Sequence, residues 1–269
     1  MIKQVVDKPI NLAGLHSTGI RAQVTGRSAA SDTPDGVRLD LLAGTRFDGY
    51  ANAQLDDYRV DRCTSFRWSA NVEMTVRARF TASADELAGT AGFGFWNAPI
   101  GLGVRRLPSP PAAVWFFFAG PNSNIAAARG VPGHGWKAAS IDTRNPLFLA
   151  LLPAAPIALP MLRLPGLYAQ LWPVAQRAMR VDERMLNSPL DEWHDYSLIW
   201  TKELVRYVID GEVVHTCHEP PRARMGFVLW LDNQWMVATP QGRFGQGTVP
   251  VARPRSMEVA QLQLLQISP

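Results

Sequence analysis

Apolar and polar residues alternate with a period of two through much of the chain, in short runs separated by Gly, Pro, Asn and Asp. The runs "GVRLDLLAG", "NVEMTVRARF", "AGFGFWN", "AAVWFFFAG", "DYSLIW", "VRYVIDG", "MGFVLWLD" and "VAQLQLLQIS" read as strands. Alternation of this kind marks strands that bury one face in an antiparallel sheet. Many such strands with turn chemistry between them predict an all-β sandwich or jelly roll. The clearest element is "RYVIDGEVVH", two β-rich runs hinged on Asp210 and Gly211. Asp-Gly suits the tight type I′ turn of a two-residue hairpin.

Two stretches depart from simple alternation. "AAVWFFFAG" at 112–120 is apolar on both faces, with Trp115 and Phe117 on one and Val114, Phe116 and Phe118 on the other. Such a strand is either sunk in core on both sides or floors an apolar cleft, and at this stage both readings stand. The second departure runs from Pro146 to Leu186, where an apolar run is cut by Pro153, Pro156 and Pro160 and a helix is expected from near Pro165. Pro173 is expected to kink that helix or cap another, because it removes an amide donor and crowds the preceding turn. The prolines and the short apolar length argue against a membrane span. The stretch at about 146–186 is therefore expected to be a helical insertion covering one face of a single domain, 1–269. Interfacial membrane contact is the less favoured alternative.

The 269 residues, 47% of them hydrophobic, suffice for a substantial core. A net charge of only +4, with arginines scattered rather than clustered among aromatics, disfavours nucleic-acid binding. The cysteines, Cys63 and Cys217, are far apart and make no zinc spacing, and no metal or cofactor is expected. "GFG" lacks the Lys-Ser/Thr of a phosphate loop, and no GxSxG elbow is present. The opening "MIKQVVDKPINLAGL" has no continuous apolar stretch of the secretory kind, so a cytoplasmic location is expected.

"EWHDYSLIWTKELVRYVIDGEVVHT", residues 192–216, resembles a segment of the family 16 glycoside hydrolases and their concanavalin A-like relatives. Trp193, His194, Tyr196, Trp200, Thr201, Tyr207, Asp210 and Gly211 carry the likeness. "MTVRARFTASADELAGTAGFGFWNAP" and "MEVAQLQLLQIS" are similar to flanking strands of that family. The resemblance implies a concanavalin A-like jelly-roll sandwich of two antiparallel sheets, with the ligand cleft on the concave one. It also implies that the strand after the Phe-Trp segment carries the catalytic Glu-x-Asp-x-(x)-Glu motif. Here that strand in order is "AAVWFFFAG", which has no carboxylate. A retaining glycosidase needs two carboxylates, one nucleophile and one proton donor.

The resulting expectation is a glycosidase-like scaffold with an aromatic cleft that binds an apolar small molecule, and that isomerises or cyclises it without hydrolysis. The alternative is a non-catalytic, lectin-like module for glycans. A hydrolase with relocated acids, such as Asp142, Glu183 or Asp232, is the least favoured. Asp232 and His194 are the candidate proton-transfer groups. Trp96, Asn97, Trp115, Phe117, Trp230, Asn233 and Trp235 are candidate ligand contacts, because ring faces stack on flat apolar surfaces while amides bond hydroxyls. Tyr168 and Trp172, four apart on the insertion's helix, would share a face and close over a pocket.

Overall fold

In the computed structural model, residues 9–44, 49–58, 66–97 and 110–268 are described; Cys63 lies outside them. The first half of the chain forms α1 (Leu12–Ser17), β1 (Arg21–Thr25), β2 (Ser28–Thr33), β3 (Gly36–Leu41), β4 (Asn52–Asp56), β5 (Val72–Phe80) and β6 (Thr90–Trp96). It continues with β7 (Ala112–Ala119), β8 (Asn124–Ile125) and β9 (Gly135–Asp142). Three helices follow: α2 (Pro146–Leu151), α3 (Ala155–Met161) and α4 (Pro165–Ala178), with a 3-10 turn at Leu152–Ala154 between the first two. The remainder is β10 (Asp182–Met185), β11 (His194–Trp200), β12 (Val205–Ile209), β13 (Glu212–Cys217), β14 (Gly226–Asp232), β15 (Gln234–Ala238), β16 (Phe244–Thr248) and β17 (Arg255–Gln266).

These strands build two large antiparallel sheets packed face to face, the sandwich expected from alternation. The first sheet runs β1-β4-β14-β6-β7-β9-β10 and the second β13-β12-β11-β5-β17-β3-β2. A small third sheet, β16-β15-β8, lies apart from both orders. Along β5 every second residue is buried, from Val72 to Phe80, and along β11 the buried set is His194, Tyr196, Leu198 and Trp200. The second sheet thus has one core face. Central strands β6, β7 and β14 of the first sheet are different, because they are buried almost throughout.

The core between the sheets takes Val114, Phe116 and Phe118 from β7, with Phe93 and Phe95 from β6. Phe116 meets Tyr196 and Tyr207 of the second sheet edge-on, at ring distances of 5.1 and 5.3 Å. The Tyr207 hydroxyl crosses the core to donate to the Ala139 carbonyl of β9 at 2.7 Å. That bond joins the sheets directly, in surroundings where a lone hydroxyl would be costly.

The hairpin of β12 and β13 turns at Asp210 and Gly211, both at positive φ (51° and 82°), as a type I′ turn demands. The Pro-rich stretch differs from expectation in its end and its character. Its helices stop at Ala178, and residues 182–185 return to the first sheet as β10, paired with β9, so the insertion is shorter than 146–186. The prolines also start helices as well as interrupt them. Pro sits in the first turn of α2, α3 and α4, where its missing amide hydrogen is not needed, and only Pro160 and Pro173 lie inside helices.

Tyr207→Phe removes one buried inter-sheet bond without leaving a cavity, so denaturant unfolding is expected to show a loss of about 1 kcal/mol with the fold retained.

Candidate functional site

The pleat places Trp115 and Phe117 on the face of β7 that looks away from the core, together with Ala113 and Ala119. Neighbouring β6 contributes Gly92 and Gly94 to that face, register partners of Phe117 and Trp115. The absent side chains are what make room. A Cβ on Gly94 would stand 2.6 Å from the Cβ of Trp115, and one on Gly92 would stand 3.0 Å from the ring of Trp230. Glycine here lets indole rings lie against bare backbone.

The rings form one cluster. Trp115 lies 5.3 Å from Phe117, stacked, 5.4 Å from Trp230 and 5.6 Å from Trp96. Phe117 and Trp230 are buried, whereas Trp96 and Trp115 are half-buried and offer ring surface to solvent. The Trp96 indole N–H donates to the Tyr58 hydroxyl. The Trp230 indole donates to the Thr90 hydroxyl at 3.1 Å, which in turn donates to Asp232 at 2.9 Å.

Polar groups flank the cluster on both sides. On β4, Asp56 accepts from the side chains of Gln23 (2.6 Å) and Gln54 (2.7 Å) and from the Tyr58 amide (2.9 Å). Burial raises its pKa, and these donors oppose the rise. On the other flank, Lys137 of β9 is fully buried, 3.6 Å from Glu183 of β10, and donates to the Ile125 carbonyl at 3.2 Å. Burial lowers the Lys137 pKa and raises that of Glu183, and their mutual attraction opposes both shifts. The sequence carried a signal for the first flank: "NAQLD" alternates, with Asn52, Gln54 and Asp56 on one face. The second had only Lys137 of "GWKAASID", the one charged residue on its face of that strand.

The two candidate proton-transfer residues are not brought together. His194 lies on β11 of the second sheet, its Nδ1 2.6 Å from Asp210 Oδ2 and its Nε2 3.0 Å from the Pro189 carbonyl. Nδ1 holds the β12–β13 turn and Nε2 the segment before β11, so the histidine acts in the scaffold. Asp232 lies at the end of β14, where Oδ1 accepts from the amides of Thr90 and Gln234, each at 3.0 Å. It ends the strand by holding local backbone. Burial pushes its pKa up to about 6, only partly offset by those donors.

The amides are also engaged by backbone. Asn97 bonds the Ala112 amide and the Pro110 carbonyl, closing the ends of β6 and β7. Asn233 is fully buried, accepting from the Ala51 amide and donating to the carbonyls of Gly49 and Val249. Neither presents a free amide to a ligand. Trp235 lies on β15 in the third sheet, its ring against Gly245 and Gly247 of β16. Tyr168 and Trp172 stack on each other at 6.3 Å, and the Trp172 indole donates to the Ala127 carbonyl at 3.1 Å. They pin α4 to the segment after β8.

The spacing of the acids limits the chemistry. Four inter-strand steps separate Glu183 on β10 from Asp232 on β14, about 19 Å along the sheet. Asp232 pairs in register with Asn52, four residues from Asp56, which is about 13 Å. Asp142 lies on the opposite face of β9 from Lys137 and accepts from the amides of Arg144 and Arg222. Glycosidase carboxylates stand roughly 5 to 9.5 Å apart. Neither the Glu183–Asp232 nor the Asp232–Asp56 spacing falls in that range.

Residues 174–233 match the family model described as glycosyl hydrolases family 16. The fold is family 16-like. Solved structures with this fold include a GlcNAcα1-4Gal-releasing endo-β-galactosidase from Clostridium perfringens. It is 12% identical with a TM-score of 0.50, and the match covers 88% of this chain and 53% of that one. A glycosyl hydrolase family protein from Mycobacterium fortuitum is 11% identical, with 93% and 92% covered and a TM-score of 0.44. The immunostimulatory antigen and pseudo beta-1,3-glucanase of Mycobacterium tuberculosis is 12% identical, with 86% and 75% covered and a TM-score of 0.46. No curated protein matches the sequence. The family-matched segment spans α4 to β14 and contains the β11–β12 hairpin strands on which the sequence resemblance rests.

Asp232 has a folded pKa above the ordinary carboxylate value, so its contribution to stability is full below pH ~4 and is lost as pH rises through about 6. Asp57, raised to about 6 chiefly by burial, acts in the same direction. Asp232→Asn keeps the acceptor oxygen without the charge. Urea unfolding from pH ~4 to ~7 is therefore expected to show the variant gaining on the parent by roughly 2 kcal/mol. A constant difference across that range would mean that Asp232 does not carry a buried charge.

Proposed function

We propose that the chain binds carbohydrate on the outer face of the first sheet, through stacking on Trp115 and Trp96, and does not hydrolyse it. The observation that carries this reading is the half-buried pair Trp115 and Trp96, their rings 5.6 Å apart on the outer face of β7 and β6. Flat aromatic surface beside amides and a carboxylate suits the alternation of C–H faces and hydroxyls on a sugar ring. The family model matching residues 174–233 is one of glycosyl hydrolases, which draws the ligand class toward sugars. Within the described residues, the outward positions of β6 and β7 hold Thr, Gly, Trp, Phe and Ala and no carboxylate.

An isomerase or cyclase for an apolar molecule has weaker support. The family match points to glycans, and the proton-transfer pair such a reaction would draw on, Asp232 and His194, lies on different sheets with both groups tied to backbone or turn. The expected apolar ligand therefore gives way to a sugar with its own apolar faces.

Titration calorimetry with β-linked glucose, galactose and N-acetylglucosamine oligosaccharides tests the proposal. At least one class is expected to saturate the protein without the release of new reducing ends. Trp115→Ala is expected to weaken that binding about tenfold or more, or roughly 1.4 kcal/mol, with circular dichroism checking that the variant keeps its fold. Binding that survives Trp115→Ala, or enzymatic release of reducing sugar, would overturn it.

A further inference from the structure

From Pro146 to Leu162 the chain carries no polar side chain, seventeen residues in a row. A helix apolar around its whole circumference belongs in a protein core or a membrane. Here it lies in neither a core nor a span. Neither α2 nor α3 has a fully buried residue, and α4 buries only Trp172 and Ala178. Ile157 is 72% exposed, Leu164 58% and Val174 49%, with Leu147, Leu152 and Leu171 also exposed. Scattered surface leucines are ordinary, but a contiguous set on three successive helices is not.

The surface extends beyond the insertion. The tip of the β15–β16 hairpin abuts α3, with the Arg163 Nε 3.4 Å from the Gln241 carbonyl and Gly242 against Leu159. That hairpin carries Phe244, 73% exposed, next to exposed Arg243.

Charge then selects the occupant. Residues 143–181 contain no Asp or Glu, and their charged residues are Arg144, Arg163, Arg177 and Arg180. Among the described residues no carboxylate pairs with Arg144, Arg163 or Arg177; Arg180 alone reaches one, Asp142, at 3.9 Å. On α4, Leu171, Val174 and Arg177 follow at three-residue steps, so the exposed apolar row leads into a guanidinium. Arg177 also borders a cleft of about 470 Å³ that Arg129, Arg180 and His218 line with it, alongside Asp182 and Glu219.

We propose that α2, α3 and α4 dock this protein onto an anionic phospholipid bilayer, their leucines and Ile157 immersed at the interface and Arg144, Arg163 and Arg177 on lipid phosphates. The segment lies on the membrane and does not cross it. Prolines divide it, among the described residues no helix is long and apolar enough to span, and seventeen helical residues would reach only about 25 Å. A second copy of the chain is a poorer occupant, since a two-fold contact across the patch sets arginines against arginines with no acid in the segment to pair them. Apolar immersion combined with cationic contact is the pairing of signals that holds proteins at membrane surfaces.

Sedimentation of the full chain with vesicles of phosphatidylcholine, with and without phosphatidylglycerol, tests this directly. Binding is expected to rise on the order of tenfold to a hundredfold with the anionic lipid and to fall in high salt. Ile157→Ser with Leu164→Ser, and separately Arg163→Gln with Arg177→Gln, are each expected to weaken it about tenfold. All four positions are exposed, and circular dichroism checks that the variants fold. No binding to anionic vesicles, equal binding to both vesicle types, or insensitivity to both double variants overturns the proposal. So does a lipid-free dimer that is lost on Ile157→Ser, which would assign the surface to a second copy.

Discussion

The pleat of β7 is the constraint on which the rest depends. Successive side chains of a strand must point to opposite faces, so Ala112–Ala119 cannot place its four bulky aromatics in one core. Phe116 and Phe118 go inward, where Tyr196, Tyr207 and Trp136 surround them. Trp115 and Phe117 are forced outward, and the protein must then either cover them or use them. It does some of each. The ring of Phe117 is covered by Trp230 and the segment around Ile125, and Trp115 keeps part of its face in solvent.

That division shapes the site. Gly92 and Gly94 lower the neighbouring strand to bare backbone, and the indoles settle into the space their side chains would have taken. The carboxylates stay at the margins, Asp56 among its amide donors on one side and Glu183 with Lys137 on the other. Asp56 and Glu183, five inter-strand steps apart, border the rings on either side with their amide neighbours. Recognition by stacking is what such a surface does best.

Much of the sandwich was legible in the sequence, because period-two alternation survives in strands with one solvated face. The β12–β13 hairpin announced itself through Asp210-Gly211. Strands β1 and β2 were not visible, since "RAQVT" and "SAASDT" are polar edge segments whose pairing is decided by neighbours rather than by burial. β10 was absorbed into the insertion, because "DERM" carries no strand pattern of its own and is set by its register on β9. In the site, the aromatic members were legible but their direction was not, because a strand apolar on both faces has no alternation to read. His194 and Asp232 stand out as base and acid by their chemistry; only tertiary placement separates them onto different sheets. Asn97 and Asn233 went astray for a related reason: an amide near a tryptophan looks like a ligand donor until the backbone groups that claim it are in view.

The central claim is that the outer rings of the first sheet, and not the buried ones, meet the ligand. Indole N–H resonances report this most directly, since each tryptophan gives its own signal and a bound sugar shifts those it touches. On titration with a saturating oligosaccharide, the account predicts shifts for Trp115 and Trp96 and none for core Trp200 or helix-anchoring Trp172. Shifts confined to Trp172 and Trp235, with Trp115 and Trp96 unmoved, would contradict it.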